Sequence, residues 1–265
     1  MTIVLNEHEW AEEMISSGSL GKKPIETLCR VARYYIDEGM SKQDTKKYLT
    51  AFITKCDPSA AIPKWNDAID RSIAFAMKHE AIMLDGVVVT KKELKEIDKL
   101  QGKQVRRLAF TLLCLAKYWN AVNKNGDSWV NNKDSDIMKM ANIRTSTKRQ
   151  SAMYHSLNEA GLIRFSRRVD NTNVQVCFVD DGDRALMVTD FRNLGYQYLM
   201  HHGEPYFVCS NCGITARIDK APTGGRPPKY CRECAAQISM RQHVNRIMRE
   251  RSKSRVAECE FVPKN

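Results

Sequence analysis

No run of about 18 consecutive apolar residues occurs in this 265-residue sequence, which argues against a transmembrane helix. The opening Met1-Thr2-Ile3-Val4-Leu5-Asn6-Glu7 has no basic region and too short an apolar stretch for a secretory signal. With 13 glycines and 8 prolines, no segment is biased enough to force disorder. The six histidines are scattered. His8 and His79 stand alone and read as surface residues, and the neighbouring His201 and His202 are not needed by the metal motif described below. Cysteine is the exception to this scarcity, at nine. Cys29, Cys56, Cys114 and Cys177 stand singly in apolar or helical patterns and read as core thiols, which fits a reducing, cytoplasmic setting better than a disulfide framework. Cys259, in the tail, is assigned no role.

The net charge of +11 is concentrated. Residues 1–100 carry 15 Lys/Arg against 16 Asp/Glu, and residues 181–204 carry 2 against 4. Residues 101–180 carry 13 against 6, and residues 205–265 carry 12 against 5, so each of these blocks holds +7. Two basic blocks on a near-neutral frame predict contact with a polyanion, nucleic acid first among them; solubility charge is the plainer alternative.

The first hundred residues follow a helical period, in Trp10-Met14-Ile15, Leu28-Val31-Ala32-Tyr35 and Tyr48-Leu49-Phe52-Ile53. Pro24 suits a first helical turn, and Ser41 with Asp44 resembles an N-terminal cap. A further helix is expected from Pro63 through Met77, then a hairpin over residues 82–89 turning at Asp85-Gly86. Thr90-Lys91-Lys92-Glu93 matches a capping box. These aromatics follow the apolar period and read as core rather than as a ligand cage.

The middle block is more specific. A helix is predicted over Gln104–Val122, a short strand over Ser128–Asn131, a helix over Asp134–Met140 and a turn at residues 141–145. A second helix, capped by Ser146, runs through Glu159 and stops at Gly161. The period then changes to 2 in residues 162–168 and 174–179, two strands around the turn-rich tip Val169-Asp170-Asn171-Thr172-Asn173. Helix, strand, helix, turn, helix and ribbon is the order of a winged helix-turn-helix. The start of its second helix crowds Arg144, Thr147, Lys148, Arg149 and Gln150 together, where free backbone N–H groups and the helix dipole also favour phosphate. Thr147, Lys148 and Gln150 are expected on the groove side, Arg144 and Arg149 on phosphates. The wing adds Arg164, Arg167 and Arg168, with Asn171 at its tip. Duplex DNA is expected rather than RNA because no aromatic stacking sheet is evident. Lys133–Val179 resembles the winged-helix domains of bacterial and phage replication initiators, replisome organisers and transcription regulators. The fuller chain is similar to phage or prophage proteins with a C-terminal zinc ribbon. That likeness implies a role in mobile-element DNA metabolism.

Cys209, Cys212, Cys231 and Cys234 form two Cys-x-x-Cys pairs separated by eighteen residues, a spacing that reads as a structural Cys₄ zinc site. Gly213 follows the first pair, where a ligand turn favours positive φ. Thiolates alone fit iron as well, and redox chemistry is the competing use of such pairs. Strands are expected at residues 186–189 and 205–208, with a loop at Thr223–Lys229 between the ligand pairs. From Ala235 to Arg255 a basic helix carries Arg241, Arg246, Arg249 and Arg251 around a narrow apolar side of Ile238, Val244, Ile247 and Met248.

The expected fold is mainly α with small β elements (α+β). It comprises a helical domain (1–100), a winged helix (101–185), a zinc ribbon (186–236) and a basic helical tail (237–265). The expected function is a zinc-containing, duplex-DNA-binding protein of replication initiation or transcriptional control, without catalytic residues. Two alternatives stand. One is a nuclease- or primase-like subunit, for which Asp134/Asp136 and Asp180/Asp181/Asp183 are the only dense carboxylates near the basic blocks. The other is an adaptor that recruits a replication or transcription protein through residues 1–100.

Overall fold

The computed structural model describes residues 3–167, 173–218 and 228–260, with side chains of the last helix as far as Glu250. The expected wing residues Arg168 and Asn171, the loop at 223–227 and the Arg251 side chain lie outside the described residues. The chain is mainly helical with small antiparallel sheets, and it divides into two compact units, residues 1–88 and 89–265.

The first unit is α1 (Glu7–Ser17), α2 (Pro24–Asp37), α3 (Lys42–Cys56), a 3₁₀ turn (Ile62–Trp65) and α4 (Asn66–Ala76). Pro24 occupies the first turn of α2, and the Ser41 hydroxyl caps α3 by accepting from the Asp44 N–H at 3.1 Å. Leu28, Val31, Ala32, Leu49, Ile53, Ile69 and Ile73 form the core. Beside it lies a charged cluster that periodicity does not reveal. Glu7, 1 % exposed, takes Arg30 Nε at 3.2 Å and Arg33 Nη2 at 2.6 Å on its Oε1, and the Ile82 N–H on its Oε2 at 3.2 Å. Three charged groups are buried here because each faces an opposite charge; none would be tolerated alone.

The second unit begins within β1 (Val87–Thr90) and continues with α5 (Lys91–Asp98) and α6 (Lys103–Asn123). The capping box at Thr90 and Glu93 is formed in both directions. Residues 82–89 do not make the expected hairpin: β1 instead pairs with β5 (Arg184–Val188), nearly a hundred residues on. Glu93 accounts for much of that closure. Its buried Oε1 takes Lys117 Nζ at 2.8 Å and the Asp180 N–H at 2.8 Å, fixing α5 and α6 against the chain that leads into β5. Every residue from Leu108 to Ala116 is buried, so α6 is a central helix wrapped on all sides rather than an amphipathic surface one.

Around α6 lie β2 (Trp129–Val130), α7 (Asp134–Met140), α8 (Thr147–Glu159), β3 (Ile163–Phe165) and β4 (Val174–Val176). The strands form one antiparallel sheet in the order β2-β4-β3. Gly161, at φ 72°, turns the chain out of α8 as expected. Beyond β5 come α9 (Leu194–His201), the hairpin β6 (Tyr206–Val208) and β7 (Thr215–Arg217), and α10 (Arg232–Glu260). Two readings of the thiols need correction. Cys114 is buried, but Cys177 is exposed at the end of the ribbon and not in the core, and Cys29 and Cys56 are only half-buried.

Candidate metal centre and basic surface

The β6–β7 hairpin and the first turn of α10 bring the four cysteines together. Cys209 follows β6, the Gly213 N–H donates to its carbonyl at 2.9 Å, and Gly213 takes the positive φ of 72° that such a knuckle requires. Helix α10 begins at Arg232, earlier than expected, which sets Cys234 in its first turn beside Cys231. The four sulfur atoms lie within 4.8 Å of one another, and Cys212 Sγ is 3.8 Å from Cys231 Sγ. A tetrahedral ion with metal–sulfur bonds of about 2.3 Å has sulfur–sulfur edges of about 3.8 Å, so four thiolates in this arrangement could coordinate one metal ion.

The surroundings treat the sulfurs unequally. Burial opposes ionisation of Cys209, but N–H groups of Cys231, Asn211 and Cys212 outweigh it and hold its thiol down to about 6. The Cys231 N–H reaches that sulfur at 3.2 Å. At Cys234 the Asn211 amide, 3.3 Å away, favours the thiolate, yet burial and the three neighbouring sulfurs push the thiol up to about 12. Negative charge is thus favoured at Cys209 and opposed at Cys234, and a bound cation would offset that opposition.

A polar chain that sequence reading missed connects this centre to the turn between α7 and α8. Asn142, in the left-handed region at φ 56°, donates from Nδ2 to Asn193 Oδ1 at 2.8 Å and accepts the Tyr196 N–H at 3.2 Å. Asn193, at φ 54°, donates to the Thr215 carbonyl of β7 at 2.9 Å. Arg192, held by Asp190, reaches the Cys212 carbonyl at 2.5 Å. Gly195 makes the approach possible, since a Cβ there would sit 2.6 Å from the Ala141 carbonyl carbon. Asparagine tolerates left-handed φ better than other non-glycine residues, and the asparagine identity of positions 142 and 193 is the part of this that the sequence carries.

The start of α8 is positioned by its buried side. Met153, Tyr154 and Leu157 face inward, and Tyr154 donates to Asp134 Oδ1 at 3.2 Å, tying α8 to α7. Burial, and then the Asp134 charge, push the Tyr154 hydroxyl upward. Arg144, Thr147, Lys148 and Arg149 are exposed. Gln150 is half-buried, and its amide donates back to the Thr145 carbonyl at 3.1 Å. Ser146 occupies the cap position but makes no side-chain cap bond. Arg164 and Arg167 are exposed on the ribbon side. Among the described residues, Arg144, Lys148, Arg149, Arg164 and Arg167 form no ion pair.

Arg241, Arg246 and Arg249 are exposed on α10. Its expected apolar side stays uncovered: Val244 and Met248 are exposed, Ile238 and Ile247 only partly shielded. The carboxylates of the nuclease alternative do not converge. Asp134 serves Tyr154, while Asp180 takes Lys92 at 2.9 Å and the Gly182 N–H at 3.0 Å, and is held below the usual carboxylate range, first by Lys92. Asp183 lies 3.9 Å from Lys91. Among the described residues, the four cysteines are the one group of three or more potential ligands close enough to share an ion. No helix among the described residues is long and apolar enough to cross a membrane. The chain matches no family model, no curated protein and no solved structure.

Proposed function

We propose that this protein binds duplex DNA through a winged helix whose position is fixed by a zinc knot. The observation that carries the reading is the exposure of five cations, Arg144, Lys148, Arg149, Arg164 and Arg167, at the start of α8 and on the ribbon, none of them in an ion pair among the described residues. The order α6-β2-α7-α8-β3-β4 with a β2-β4-β3 sheet supports it, since that is the connectivity of a winged helix. Lys148 and Arg149 contact the duplex at the start of α8, Arg164 and Arg167 contact phosphates from the ribbon, and α10 adds Arg241, Arg246 and Arg249. Zinc suits the four-thiolate shell and completes it without an open position, so its role is architectural. A place in replication initiation or transcriptional control of a mobile element rests on the resemblance of Lys133–Val179 alone.

The test is anisotropy with labelled duplexes at several salt concentrations. Lys148→Ala and Arg149→Ala should each weaken binding and lower the salt slope by about one. If both leave affinity and slope unchanged, the contact surface has been misplaced.

A further inference from the structure

The outer face of the β2-β4-β3 sheet and the cavity at its edge belong to no part of the duplex-binding surface except through Arg164. Register pairs Trp129 with Gln175 and Gln175 with Arg164, so these three side chains form one row across the sheet. Their neighbours Val130, Val174, Ile163 and Val176 are buried on the opposite face. At the Trp129 end opens a cavity of about 430 Å³, lined by both second-unit tryptophans and several asparagines.

Its chemistry is selective. Among the described lining residues, Asp127 is the one that carries a charge, and its carboxylate disfavours phosphate there. Trp119 Nε1 is spent on Asn132 Oδ1 at 2.7 Å, and both ends of the Asn120 amide are spent on Ser128. The amides of Asn123 and Asn131 and the Trp129 indole N–H have no hydrogen-bond partner among the described residues. The cavity therefore offers aromatic surface with unused amide donors and acceptors beside it, which suits a flat, neutral heterocycle with a polar edge. Arg164 stands two strands away on the same face, a span of about 10 Å. A base at Trp129 leaves its phosphodiester within reach of that guanidinium.

We infer that this face binds a nucleobase of an unpaired strand, stacked on Trp129 with its edge met by Asn123 and Asn131 and its phosphate by Arg164. A paired base cannot present its face to an indole, so the ligand is a single strand or an opened position in a duplex. The inference rests on the nucleic-acid reading, but on different residues from those at the start of α8. It also replaces the expectation that the block has no aromatic stacking sheet: the tryptophan lies on the shortest strand, where sequence spacing alone did not connect it to the ribbon.

The test compares a labelled 12-nucleotide single strand with a labelled duplex, using the zinc-loaded full chain. Trp129→Ala should weaken strand binding about tenfold, and Asn131→Ala about fivefold, with duplex affinity held within twofold. Trp129→Phe should keep most of the strand affinity, because a phenyl ring still stacks. Asn131 is exposed, so its variant stays informative if Trp129→Ala fails to fold. The inference is overturned if the single strand does not bind, if Trp129→Phe and Asn131→Ala are both without effect alongside a folded Trp129→Ala that binds normally, or if strand and duplex binding fall together. It is also overturned if a methyl glucoside, and no strand, quenches the tryptophans, which would make the cavity a sugar site. Loss of duplex binding with strand binding intact sinks the α8 assignment and leaves this one standing.

Discussion

Replacing Asn193 separates backbone strain from hydrogen bonding at the junction between the metal knot and the α7–α8 turn. Asn193→Ala places an alanine at φ 54°, which costs about 1 kcal/mol. It also removes the partner of the Thr215 carbonyl, on a residue 3 % exposed, and the acceptor for Asn142 Nδ2. Leaving two such groups unmatched costs about 1–3 kcal/mol each where water cannot enter. Half-burial of Asn142 argues for the low end there, so a total of about 3–4 kcal/mol is expected. Asn193→Gly removes the same hydrogen bonds while keeping the left-handed backbone, and should recover about 1 kcal/mol of that loss. In a unit of this size, 3 kcal/mol corresponds to a fall in Tm of about 6–12 °C. Differential scanning calorimetry of the zinc-loaded protein and both variants gives the two numbers directly. Should the glycine variant melt with the parent, the polar chain contributes nothing. Should glycine and alanine variants melt together, the left-handed backbone is not the source of the cost.

Two further outcomes follow from the buried charges and the thiols. Glu7→Ala leaves Arg30 and Arg33 without their shared carboxylate in a region 1–8 % exposed, and should destabilise the first unit by about 3–5 kcal/mol in urea titrations; a loss under 1 kcal/mol would mean that water reaches the site. Chelation should release one zinc per chain, measured by mass spectrometry of the metal, and expose the β6–β7 amides to hydrogen exchange while α6 amides stay protected; continued protection of the hairpin after metal loss would show that its side chains hold it unaided.

Local signals made some of this structure readable. Thr90 and Glu93 announce a helix start three residues apart, and Gly161 announces a helix stop, because each acts on its own neighbours. The cysteine spacing was readable for the same reason: a knuckle is a local turn. Strand β1 was not, since Asp85-Gly86 suggested a nearby partner while the partner chosen is Arg184–Val188, fixed by Glu93 at a distance. Helix α9 passed unread because it is short and starts from a left-handed asparagine without a side-chain cap, and its Tyr196 and Tyr198 suit a strand equally well. Cys177 misled because alternation put it in the strand pattern, whereas β4 ends at Val176. Composition also could not show that the Gln150 amide bonds the backbone of its own helix start at Thr145.

Helix α10 joins the cysteine cluster to the row of arginines that follows it. Beyond its first turn it has almost no packing surface, and a solvated helix is held back chiefly by the cost of nucleation. Cys231 and Cys234 remove that cost when a metal fixes them, because the first turn is then set before the rest must form. The arginines that follow still repel one another, as at Arg246 and Arg249 on one side of the rod. Phosphates facing them would relieve that repulsion, so metal at one end and polyanion along the length stabilise the same helix by different means. If the proposed DNA contact is made, the metal centre would act on it through the order of this helix rather than through any contact of its own.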